Sequence, residues 1–130
     1  METYKKKHVL LIDDNDIDNY ITKHIITRSQ IAEKITIKKS AIEALEYLET
    51  IKENIEEFPE IIFLDIRMPM MDGFEFLDEL IKFPIVANKQ CEVLMLSSSN
   101  DQNDIDRAFQ YSIVKKYFTK PLKMEMLVGF

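Results

Sequence analysis

Five times along this chain a short run of apolar and β-branched residues stops at a polar or charged group, and a segment of helical character follows. No other feature narrows the fold so far. Strands that alternate with helices call for a parallel sheet covered by helices on both faces, joined by right-handed crossovers. The runs are 8–13 (HVLLID), 34–39 (KITIKK), 61–64 (IIFL), 92–96 (EVLML) and 115–119 (KKYFT). The third is wholly apolar and reads as a strand buried on both faces. The second alternates, with Ile35 and Ile37 on one side and Thr36 and Lys38 on the other, as a half-buried edge strand does.

The helical segments carry their own signals. Asp14-Asn15-Asp16 can cap a helix over 15–29, with Ile17, Tyr20 or Ile21, His24 or Ile25 and Arg28 at helical spacing. Ser40-Ala41-Ile42-Glu43 matches a capping box before a helix over 41–54, whose face is Ile42, Leu45, Leu48 and Ile51 or Ile55. Segment 73–83 places Phe74, Leu77 and Leu80 or Ile81 on one face. Residues 84–90 read as a longer connection, and Asn100-Asp101 cap a helix carrying Ile105, Ala108 and Phe109. Only nine residues follow Pro121, enough for two turns at most.

A chain of 130 residues is long enough for one domain with a real core, and 1–130 is expected to be that domain, with no output domain. The net charge of −6 argues against nucleic acid as a partner; the Lys5-Lys6-Lys7 run reads as a solvated terminus. Cys91 stands alone, so neither an intrachain disulfide nor a thiolate metal cluster can form, and it reads as a small buried residue. No apolar run approaches a membrane span and 1–7 lacks the apolar stretch of a signal peptide, which points to a cytoplasmic chain. His8 and His24 read as packing or surface residues.

In a parallel sheet all C-terminal strand ends lie along one edge, where ligands bind in open α/β folds. The first strand delivers Asp13 and Asp14 there, the third Asp65, the fourth Ser97 and the fifth Lys120. Three carboxylates raise one another's pKa unless a cation sits among them. Hard oxygen ligands suit Mg2+, which also favours phosphate oxygens. A carboxylate left uncommitted can attack phosphorus, an ammonium can neutralise the transferring group, and a hydroxyl can donate to it once attached.

This set resembles the response-regulator receiver domain, the phosphoacceptor module of bacterial two-component signalling, in its stand-alone, chemotaxis-regulator-like form. The resemblance runs from Val9 to about Met126. It rests on Asp13-Asp14, Asp65 with Met68-Pro69 and Asp72-Gly73, Ser97, and Lys120-Pro121. It implies a three-layer α/β/α domain, flavodoxin-like, with strand order 2-1-3-4-5 and a short last helix; receivers are a standard example of that order. It further implies that Asp65 accepts a phosphoryl group from a sensor histidine kinase or phosphotransfer protein. Mg2+ would be held by Asp13, Asp14, Asp65 and the backbone carbonyl of Arg67. Lys120 and Ser97 would contact the phosphoryl group, and Tyr117, at the family's aromatic switch position, would turn inward. By the same resemblance Arg67 and Ser99 influence how long the phosphoryl group survives. Output would be a phosphorylation-dependent protein contact with an unidentified target, and a homodimer is among the partners the family admits. The clipped final helix would leave apolar sheet surface exposed.

Plainer uses exist for each residue. One of Asp13, Asp14 and Asp16 can simply cap a helix, Asp65 can be a turn residue, Lys120 a surface lysine and Tyr117 a fixed half-buried aromatic. Met68, Met70 and Met71 read as loop packing, with Met70-Met71 available to a partner. Two other functions share the residues. One is a Mg2+-dependent phosphohydrolase using an aspartyl-phosphate, for which Asp14-Asn15-Asp16 has the right spacing but no insertion forms a cap. The other is a phosphate-independent, receiver-shaped interaction module. The receiver reading is a switch rather than an enzyme.

Overall fold

The structure, a computed structural model, describes residues 6–89 and 91–130. Segment 1–7 and its lysine run therefore lie outside the described residues, save the backbone of Lys6 and Lys7, as does Gln90. The strands are β1 (Lys6–Ile12), β2 (Ala32–Lys38), β3 (Ile61–Leu64), β4 (Glu92–Ser97) and β5 (Val114–Thr119). The helices are α1 (Asp16–Ser29), α2 (Ala41–Thr50), α3 (Gly73–Leu80), α4 (Pro84–Lys89) and α5 (Gln102–Ala108), followed by a 3-10 turn at Met124–Leu127. All strand pairs are parallel, in the order β2-β1-β3-β4-β5, as the alternating pattern predicts.

The apolar runs explain the layering. Val9, Leu11, Ile61, Phe63, Leu94 and Leu96 face a core closed by Ile26 of α1 and by Leu122 and Leu127 of the final segment. Leu10, Ile12, Ile62, Leu64, Val93 and Met95 face the other, closed by α2, α3 and Ala108 of α5. Every residue of β3 is buried, which is why its sequence does not alternate. The central position of β3 in the sheet places its last residues between β1 and β4.

Several expectations need correction. The buried face of α1 is Asn19, Thr22 and Ile26, whereas Ile17 and Tyr20 are 71% and 76% exposed. Apolar residues occur all round this helix, so spacing alone does not choose its inner face. Asn19 faces inward because its side-chain N–H donates to the carbonyl of Asp13, 2.8 Å away. In α2 the small Ala41 and Ala44 join Leu48 against the sheet, while Ile42 and Ile55 are exposed. Ser40 caps α2 by accepting from the Glu43 amide, and its hydroxyl reaches the Glu43 carboxylate. That helix stops at Thr50 and α3 at Leu80. Segment 84–90 is not merely a connection: α4 occupies six residues of it, with Pro84 at its first position. Phe83, just before it, lies 6.2 Å from Phe58 in ring-to-ring contact.

The final segment forms a 3-10 turn rather than an α-helix, and it still covers the sheet. Leu94 and Leu96 are buried beneath Leu122 and Leu127, with Phe118, Met126 and Phe130 half-buried beside them. The expected exposed sheet surface is thus absent among the described residues. Cys91 is buried. His8 is buried, its Nδ1 donating to the Glu57 carbonyl at 2.6 Å with Thr36 Oγ 2.8 Å from its Nε2, and His24 is exposed. No helix among the described residues is long and apolar enough to cross a membrane.

Candidate functional site

The parallel register aligns the strand ends. Ile12 pairs with Leu64, Leu64 with Met95 and Ser97 with Thr119, so Asp13, Asp65, Ser97 and Lys120 arrive at one edge. Backbone bonds finish the alignment: the Asp65 amide donates to the Ile12 carbonyl (3.1 Å) and the Lys120 amide to the Ser97 carbonyl (2.8 Å). The Lys120–Pro121 peptide is cis.

Asp13 and Asp65 are buried and Asp14 is exposed; each offers a carboxylate oxygen, and the three atoms lie within 4.8 Å of one another. Such a set, all oxygen and without sulfur or imidazole, fits a hard divalent cation. The Lys120 ammonium lies 2.6 Å from Asp13 Oδ2 and 3.6 Å from Asp65 Oδ2. It also meets Asp18 Oδ2 at 2.8 Å. Three carboxylates, those of Asp13, Asp18 and Asp65, therefore crowd one ammonium. Burial, and then the neighbouring Asp13, push the Asp65 carboxyl up to about 6, against the opposing pull of Lys120 and of the Ile66 amide that donates to Asp65 Oδ1. Burial works to lower the Lys120 pKa, but its hydrogen bonds to Asp13 and Asp18 and the charge of Asp65 outweigh this and raise it.

Loops hold these groups in place. The Asn15 amide donates to Asp13 Oδ1 (2.9 Å), and the Asn15 side chain caps α1 by accepting from the Asp18 amide. Beyond Asp65 the chain turns through Met68, which is buried, and Met70, which is left-handed (φ 72°) and exposed, with Met71 half-buried against the core. Asp72 and Glu75 form a reciprocal capping box that starts α3 at Gly73. The glycine is required by proximity: a Cβ there would lie 2.5 Å from the Asp65 carbonyl oxygen. The Gly73 amide donates to the Ile66 carbonyl at 2.8 Å, so α3 begins directly against the Asp65 loop.

Ser97 is fully buried at the end of β4 whereas Ser98 is exposed. The Ser97 hydroxyl oxygen accepts from the Ser99 amide (3.1 Å). The Tyr117 hydroxyl donates to the Ser99 carbonyl (2.8 Å), so the half-buried ring is tied to the loop that follows Ser97. Ser99 Oγ and the Arg67 guanidinium both donate to Asp104 Oδ2, at 2.7 and 2.8 Å, joining the loop after β3 to the start of α5. Asp16 stands outside this group, paired with Lys39 at 2.8 Å.

The strand-end reading brought Asp13, Asp14, Asp65, Ser97 and Lys120 to one place. It missed Asp18, Asn19 and Asp104. Asp18 and Asn19 lie in the first turn of α1, where a sequence offers only capping as an explanation. A faint signal was available in the excess of carboxylates over the single one a cap needs.

Comparison with known proteins covers the whole constellation. The profile described as the response regulator receiver domain matches residues 9–129. Response regulator Rcp1 of Synechocystis is 26% identical over 97% of this chain and 84% of its own. A solved Mn2+-bound form of Rcp1 aligns with a TM-score of 0.74 at 25% identity, covering 93% of this chain and 86% of that one. A two-component response regulator from Cytophaga hutchinsonii aligns with a TM-score of 0.86 at 33% identity, over 95% and 92% of the two chains. The phosphorylated cyanobacterial phytochrome response regulator RcpA aligns at 0.73 and 28%, over 93% and 85%.

Proposed function

The chain belongs to the response regulator receiver domain family, and from that premise we propose that it is a phosphorylation switch whose phosphoacceptor is Asp65. The observation that carries this reading is the meeting of Asp13, Asp14, Asp65 and Lys120 at one sheet edge, beside the buried Ser97 hydroxyl. The donor is a phosphohistidine on a sensor histidine kinase or a phosphotransfer protein. An Asp65 carboxylate oxygen attacks phosphorus, the P–N bond breaks, and the imidazole leaves with the electron pair and takes up a proton. Asp13, Asp14 and Asp65, with the Arg67 carbonyl, would hold Mg2+, which when bound neutralises charge on the phosphoryl oxygens. Lys120 supplies the second positive charge.

The output is a change in protein contact. A phosphoryl group on Asp65 offers new acceptors to Ser97 and Lys120. Ser97 is joined through the Ser99 backbone to Tyr117, so a pull on the hydroxyl reaches the ring. The structurally similar RcpA is a phosphorylated response regulator, which supports the reading. The phosphohydrolase alternative, which takes Asp14 and Asp16 as its nucleophile and second acid, is disfavoured because the Asp16 carboxylate is committed to an ion pair with Lys39. A labelled, phosphorylated histidine kinase domain provides the test. Label should move to this protein one for one, be stable to acid and labile to base. Catalytic release of phosphate without a labelled protein would support the hydrolase instead, and no transfer at all would support a phosphate-independent module.

A further inference from the structure

The Lys120 ammonium has three N–H donors. It sits 2.6 Å from Asp13 and 2.8 Å from Asp18, but 3.6 Å from Asp65, beyond direct hydrogen bonding. The lysine is thus held nearer to α1 than to the carboxylate it is meant to serve. Asp18 does not belong to the three-carboxylate set that fits a cation. It occupies the third position of α1, after the Asn15 cap. Its side chain is one-third exposed, while that of Lys120 is 13% exposed.

We propose that Asp18 is a positioning residue that competes with the phosphoryl group for Lys120, and so sets how readily Asp65 is phosphorylated and how long it stays so. This rests on Asp65 being the phosphoacceptor. Phosphorylation forms a bond from an Asp65 oxygen to phosphorus and breaks the bond to the donor's leaving group. The phosphoryl oxygens arrive with negative charge that Lys120 must meet. Asp18 opposes this twice. It occupies one of the three donors, and its own charge adds to the repulsion of an incoming anion. When the phosphoryl group is in place, Lys120 must divide itself between that group and Asp18.

A purely local use of Asp18 is favourable interaction with the N-terminal end of the α1 dipole. That use predicts a change in stability and none in phosphorylation chemistry. The test compares wild type, Asp18→Asn and Asp18→Glu in Mg2+ with acetyl phosphate, following intact mass over time. Decay is then followed after the donor is removed, and melting temperatures are recorded in parallel. The competition account expects Asp18→Asn to take up phosphoryl about threefold to tenfold faster and to retain it longer, the effect of weakening one ion pair. Asp18→Glu, which keeps the charge, should behave like wild type. Equal rates and lifetimes in wild type and Asp18→Asn, whatever the melting temperatures, would overturn the competition, as would slower uptake by Asp18→Asn. A wild type that takes up no phosphoryl group would overturn the Asp65 reading itself, and this inference with it.

Discussion

Asp65 is the residue on which the site's energetics turn. Burial holds its carboxyl in the folded state at about 6, above the ordinary aspartate value of 3.8. The native state therefore binds more protons than the unfolded chain between these values, and stability falls as pH rises from about 4 to about 6, then levels. Removing the charge should remove the penalty. Asp65→Asn is expected to stabilise the protein at pH 7 by about 1–3 kcal/mol, allowing for solvent screening, and by little at pH 4. Urea unfolding of both proteins at the two pH values checks this; an Asn variant less stable than wild type at pH 7 would refute it. Tyr117 offers a second residue-scale check. Phe at this position keeps the ring and loses the bond to the Ser99 carbonyl, costing about 1 kcal/mol. If the ring reports the state of Ser97, Tyr117→Phe should leave phosphoryl uptake near wild type while changing the affinity of a partner for the phosphorylated form, as calorimetry would measure.

At the scale of elements, α3 and α1 frame the site in different ways. The start of α3 presses on the Asp65 loop with no room for a side chain. Ala is otherwise the better helix former by about 1 kcal/mol, so propensity alone would favour Gly73→Ala. A Cβ 2.5 Å from the Asp65 carbonyl reverses the sign. The expected result is a loss of about 2 kcal/mol or more by chemical denaturation, together with slower phosphorylation, because the clash falls on the backbone of Asp65 itself. Unchanged stability in Gly73→Ala would show that the loop yields freely. Helix α1 is fixed by polar contacts, Asn19 to the Asp13 carbonyl and Asp18 to Lys120. Those contacts leave Ile17, Tyr20 and Ile21 on the surface.

For the whole molecule, the fold was legible because sheet position writes itself into residue patterns. The wholly apolar β3 and the alternating β2 announced a central strand and an edge. The strand-end rule then assembled most of the candidate site without any contact being known. What stayed hidden depended on tertiary placement. The inner face of α1 is set by hydrogen bonds that spacing does not encode, α4 is too short for periodicity to register, and Asp18 meets Lys120 across 102 positions of sequence. The crowding of carboxylates also makes a global prediction. Mg2+ at ten times its dissociation constant should stabilise the protein by about 1.4 kcal/mol, a rise of a few degrees in Tm, and Asp13→Asn should diminish it. Thermal melts with and without the ion check this. The central claim, that Asp65 is the group phosphorylated, has a more direct test. Wild type and Asp65→Asn are incubated with Mg2+ and acetyl phosphate, and intact mass is recorded. One phosphoryl group on wild type and none on Asp65→Asn is the predicted result; an unmodified wild type, or an equal adduct on both proteins, would contradict it.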